Sequence, residues 1–67
     1  MGDERLRLRK LIEHWAEHND EHRARFEASA REAEKMGMVK VAENLMLAAK
    51  EATNVSSYLR EAIKGFE

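Results

Sequence analysis

From Glu4 to Met36 the chain contains neither glycine nor proline, and the same holds from Met38 to Lys64. Both stretches are far longer than any strand, so their hydrophobic period decides what they form. In the first, apolar or core-type positions fall at Leu8, Leu11, Ile12, Trp15, His22, Phe26, Ser29, Ala30, Ala33 and Met36. In the second they fall at Met38, Val41, Leu45, Ala48, Ala52, Val55, Leu59, Ala62 and Phe66. Steps of three and four place such residues on one side of an α-helix and on both sides of a strand. Gly37 is the one glycine between the two stretches. Glycine enters the left-handed conformation that ends helices without a Cβ penalty, so Gly37 is expected at the C′ position. Lys35 just before it suits the negative end of a helix dipole. Asp3 is the expected N-cap of the first helix. Glu21/Arg25 and Glu27/Arg31 have the i,i+4 spacing of supporting ion pairs. The reading is a single all-α domain, an antiparallel helical hairpin with helix 1 over about 4–36, a turn at Gly37, and helix 2 over about 38–64. The alternative is a break in helix 1 at Asn19–Asp20, where either side chain is able to cap a new helix.

At ~1.5 Å per residue helix 1 is ~50 Å long. One partner helix does not cover an apolar stripe of that length, and two hairpins packed as a four-helix bundle do. A homodimer is therefore expected. With 67 residues and no cysteine, the chain is short for a self-sufficient core and has no disulfide or thiolate staple. The lack of cysteine favours a reducing, cytoplasmic setting. The opening MGDERLRLRK has no apolar run, so no signal peptide is expected there. Twelve basic and 13 acidic residues are interleaved, which argues against nucleic acid or a membrane as a partner. Arg5, Arg7, Arg9 and Lys10 form a short basic cluster, read as a solvated end balanced by Asp3, Glu4 and Glu13.

His14, His18 and His22 are spaced i, i+4, i+8. Each step of four rotates by only about 40° on a helix, so the three line one ridge. Imidazoles one turn apart chelate divalent transition metals, and nickel, cobalt, zinc and copper all accept them. His22 projects nearest the centre of the stripe, His18 at its flank and His14 furthest out, with Asn19 beside His22. Folding at Gly37 sets His22 opposite Ala52 and Thr53, and His18 opposite Ser56. A polar layer of His18, Asn19 and His22 would then meet the Thr53–Ser57 patch. Two readings follow with equal weight: a metal site built on His14, His18 and His22, or a structural layer that fixes register and pairing. Burying neutral imidazoles would also make assembly sensitive to acid. Glu17, Asp20 and Glu21 project outward in this register, away from the ladder. Trp15 and Phe26 are expected in the core.

No enzyme is expected. There is no Glu-x-x-His pair for a carboxylate-bridged di-iron centre, no His-Glu-x-x-His, no glycine-rich phosphate loop and no nucleophile beside a base.

The run Leu11-Ile12-Glu13-His14-Trp15, continuing to His18-Asn19 and His22, resembles the start of a small histidine-rich helical domain family of unknown function. That family opens with Leu-Ile-x-His-Trp-x-x-His-Asn-x-x-His and has a Gly-Leu-x-x-Val-Ala turn, where this chain has Met38 in place of leucine. Its members stand alone or are attached to cobalt- or nickel-handling tetrapyrrole chelatase-type proteins. The resemblance implies metal handling through His14, His18, Asn19 and His22, and a metal-handling protein as a possible partner.

Overall fold

A computed structural model describes residues 2–67. Helix α1 spans Gly2–Lys35 and helix α2 spans Val39–Lys64, with no strand among the described residues. Helix α1 runs through Asn19–Asp20 without a break, so the two-helix hairpin is the fold. Its long axis of 54 Å agrees with the length expected of the first helix. One correction falls at the start. Asp3 does not cap the helix but lies in its first turn with Glu4, where both carboxylates face the positive end of the dipole.

The turn is a Schellman motif. Gly37 has φ 75°, the left-handed conformation expected of it. The Met38 amide donates to the Ala33 carbonyl at 2.9 Å, and the Gly37 amide donates to the Glu34 carbonyl at 3.0 Å. These bonds occupy carbonyls that the end of α1 leaves free. Helix α2 then starts at once, with the Ala42 amide bonded to the Met38 carbonyl and no side-chain cap at Met38.

What joins the helices is a seam of small residues. Ile12, Ala16, Ala30 and Ala33 of α1 are buried against Ala42, Ala49, Ala52 and Ser56 of α2. The half-buried Asn19, Arg23 and Phe26, and Leu45, Leu59 and Ile63, fill the remaining places in the same alternation of three and four. Alanine at these places lets the helices approach closely. The Ser56 hydroxyl of one helix lies 3.4 Å from the Ala16 carbonyl oxygen of the other.

The expected core is only half right. The apolar stripe divides between two faces. Phe26, Ala30, Ala33, Leu45, Ala52 and Leu59 turn into the seam. Leu8, Leu11, Trp15, Val41 and Val55 stay outside it, and Trp15 and Val55 are each 47% exposed. The physical reason is width. A two-helix seam is one side chain wide, and a helix whose apolar stripe spans two adjacent ridges presents one of them to the other helix and one to solvent. Nor do the charged residues pair as expected. Glu27 binds Arg23 at 2.6 Å and not Arg31, and Arg9 binds Glu13 at 3.4 Å.

The hairpin is consequently thin, with extents of 14 and 11 Å across its axis. Its radius of gyration is 15.6 Å, against ~11 Å for a compact chain of this length. Its accessible surface is 5388 Å², against ~4,400 Å² for a compact monomer of its mass.

Ala30 is buried and Ala24 is exposed on the same helix. Ala30→Leu is expected to force the helices apart and cost ~1–3 kcal/mol. That is a fall of several degrees in the thermal midpoint at fixed protein concentration. Ala24→Leu is expected to leave the midpoint nearly unchanged, and circular dichroism melts compare the two.

Candidate functional site

Halfway along the hairpin the alanine seam is interrupted by a polar relay. The Asn19 amide donates to the Ala52 backbone carbonyl and, at 2.9 Å, to the Ser56 hydroxyl. Ser56 donates its single proton to the Asp20 carboxylate at 2.6 Å. The other carboxylate oxygen of Asp20 accepts from Arg60 at 2.6 Å. Each group thus has a partner of the right kind, and no buried polar side-chain atom is left unpaired among the described residues. The Arg60 hydrogen bond, and then the Ser56 hydroxyl, hold the Asp20 carboxyl below its ordinary value of 3.8.

This relay corrects the expected contacts of the polar patch. Ser56 meets Asn19 and Asp20, not His18. Thr53 turns back to its own helix and donates to the Ala49 carbonyl at 3.2 Å, so it does not meet His22. Asp20 is not an outward carboxylate: it sits at the flank of the seam, bound to Ser56 and Arg60. Sequence periodicity missed it because a short side chain one position beyond a seam residue still reaches across when the helices are close. The alanines at 16, 49 and 52, level with it, were the available signal.

The histidines lie on the opposite flank from Asp20. His14 and His18 are exposed and His22 is half-buried, so His22 is the inward member as expected. The His14 and His18 rings are stacked with centroids 5.8 Å apart. The His18 and His22 rings meet edge to face at 4.8 Å. His22 then stacks on Phe26 at 6.2 Å. No imidazole takes part in a hydrogen bond among the described residues. The three do not converge on one point, and no group of three His, Cys, Asp or Glu side chains among the described residues could hold a metal ion. Within one chain the ladder is therefore two adjacent pairs, with His18 common to both.

His18 and His22 also belong to a groove, lined with Trp15, Asn19, Val55 and Leu59. One flank of the hairpin therefore carries Leu8, Leu11, Trp15, the histidines and Val55. The other carries Glu13, Glu17, Asp20, Glu27 and Arg60.

These features define a two-helix hairpin with an alanine seam, a buried asparagine–serine relay, and a histidine-bearing apolar flank. The chain belongs to the family described as a domain of unknown function (DUF8180), whose profile matches residues 8–66. The match takes in the whole ladder, the turn and the Asn19–Ser56 relay. No curated protein and no solved structure matches the chain.

Asn19→Ala is expected to cost ~1–3 kcal/mol, because it removes both donors to α2 and weakens the buried relay. Asp20 contributes stability only while it is ionised. Its folded value lies below its unfolded one, so that contribution is present above the ordinary carboxyl value and is lost as pH falls through the folded value. Asp20→Asn should therefore flatten the fall in thermal midpoint as pH drops below the ordinary carboxyl value of 3.8. An equally steep fall in the variant would show that other carboxylates set the acid limb.

Proposed function

We propose that this protein is a small, non-enzymatic transition-metal-binding module that uses His18 and His22, supported by His14, and acts as a homodimer. The observation that carries the reading is the adjacency of the His18 and His22 rings, 4.8 Å apart on the rim of an apolar groove and free of hydrogen bonds among the described residues. Imidazoles one helical turn apart are the usual chelating pair, and an apolar surround strengthens their bond to a cation. Self-association is supported by Trp15 and Val55, large side chains left open on the same flank. The resemblance to domains attached to cobalt- and nickel-handling chelatases makes those two ions the first to test, with zinc and copper beside them. It also suggests a metal-handling protein as the partner that receives or supplies the ion.

The test is calorimetric titration of untagged protein with each ion. At least one ion is expected to bind with Kd below ~10 μM, and His18→Ala combined with His22→Ala to weaken it at least tenfold. His14→Ala should weaken it less. Affinity should drop on acidification, because protons compete for the imidazoles. Failure of all four ions to bind at 10 μM would end the metal reading.

A second reading has its own support in the half-buried position of His22 beside Phe26. In it the histidines are a polar layer that sets dimer pairing. His22→Leu would then raise the thermal midpoint and change the oligomeric state. An unchanged oligomer with a lower midpoint would refute it.

A further inference from the structure

The self-association in the proposed function leaves open which way two hairpins meet, and the inference here rests on that reading. We infer that a second copy of this chain covers the histidine-bearing flank about a two-fold axis that crosses the hairpin at right angles to its length, at the level of His18 and Val55. Helix α1 then lies antiparallel to the second copy's α1, and α2 to the second copy's α2.

The first argument is area. The chain exposes about 1,000 Å² more than a compact monomer of its mass. A standard interface takes about 800 Å² from each partner. A second hairpin along this flank accounts for that excess, and this is the flank that carries the imidazoles, although Leu6, Val39 and Met46 are exposed elsewhere.

The second argument is symmetry. The midpoint of Gly2–Lys35 falls between His18 and Asn19. The hydrogen bond from Asn19 to Ser56 marks the residue of α2 at that level, next to Val55. Full overlap of two hairpins therefore puts the axis at His18 and Val55. The histidines of α1 and two alanines of α2 are placed alike in both directions from that level, whereas Leu11 and Trp15 correspond to Arg25 and Glu21. On α1, His14 and His22 stand ~6 Å to either side of His18. On α2, Ala48 and Ala62 stand one heptad to either side of Val55. Rotation about the axis sets His18 beside the second copy's His18, and His14 beside the second copy's His22. It also stacks Val55 on its own mate between two alanine pairs. Leu8, at the open end, comes to the level of the small Ala28 and Ser29 of the second copy.

The other two-fold arrangement, with the axis along the hairpin, puts α1 on the second copy's α2. His18 would then face Val55 and Ser56, and the Ser56 hydroxyl is already committed to Asn19 and Asp20. Only the crossing axis gives each imidazole another imidazole, which in its neutral form supplies both a donor and an acceptor. It also completes the metal site, since one chain alone offers pairs and no three-ligand cluster among its described residues.

Disulfide mapping tests this directly, because the chain has no cysteine of its own. Single variants are oxidised in the presence of EDTA, so that no metal enters the result, and run on non-reducing gels. His18→Cys and, separately, Val55→Cys are expected to link to themselves in high yield. Leu8→Cys is ~15 Å from the axis and ~30 Å from its mate, so it should not self-link. Leu8→Cys mixed with Ser29→Cys should give a heterodimer. Linkage of Leu8→Cys with Phe66→Cys in place of Ser29→Cys would mean the axis runs along the hairpin and would overturn the inference. So would a monomer at 50 μM by sedimentation equilibrium. The linkage pattern holds or fails whether or not any ion binds, so the two proposals fall separately.

Discussion

Close approach of two helices across alanine is the constraint on which the rest of this molecule depends. Ala16, Ala30, Ala33, Ala42, Ala49 and Ala52 dominate the seam, with Ile12 buried and Phe26, Leu45 and Leu59 half-buried among them. No large side chain is fully buried among the described residues. Dispersion between closely spaced backbones replaces the interdigitated leucines of a wider pair. The same closeness allows Asn19, with only one methylene before its amide, to reach a backbone carbonyl of the opposite helix. A leucine seam would hold α2 too far away for that bond and for the Ser56–Asp20 contact that follows it.

The small seam has a second consequence. Alanine buries little apolar area, so the hydrophobic term holding the hairpin together is modest, at about 25 cal/mol for each Å² removed from water. Leu8, Leu11, Trp15 and Val55 found no place in the seam and lie on a flank. There they do nothing for the lone hairpin and much for an assembly. Burying one Leu, Val or aromatic side chain yields ~1.5–3 kcal/mol. On the proposed dimer, alanines and a few larger residues such as Phe26 and Leu45 join α1 to α2, while Trp15 and Val55 remain for the next layer. The charged flank, with Glu13, Asp20, Glu27 and Arg60, keeps the opposite side in water.

Much of this was legible in the sequence, and the parts that were not have one cause. The two helices, the unbroken passage through Asn19–Asp20 and the turn at Gly37 follow from spacing and from glycine's access to positive φ. The inward place of His22 in the ladder also emerged from projection. The choice of seam did not. On α2 the residues Val41, Ala48, Val55 and Ala62 stand beside Ala42, Ala49, Ser56 and Ile63, one position on. Periodicity cannot say which of two adjacent ridges a neighbour will take. Hydrophobicity favoured the ridge with the larger residues, and helix–helix distance decided for the smaller ones. That single shift exposed Trp15, separated Ser56 from the histidines, and brought Asp20 to Ser56 and Arg60.

The shift also changes what the histidines have to accomplish. Had they faced the Thr53–Ser57 patch, hydroxyls would have satisfied them inside one chain, and a purely local structural role would have been enough. On the open flank they stand among the exposed Leu11, Trp15 and Val55. A dry interface there would leave up to six imidazoles without water, at ~1–3 kcal/mol for each one left unpaired. That is comparable with what Leu8, Leu11, Trp15 and Val55 return on burial. Such a face closes only if the imidazoles find partners in each other or in a shared cation. If the proposed dimer binds an ion, association and ligation would be one equilibrium, in which an ion that binds the closed pair of hairpins more tightly than the open one draws them together.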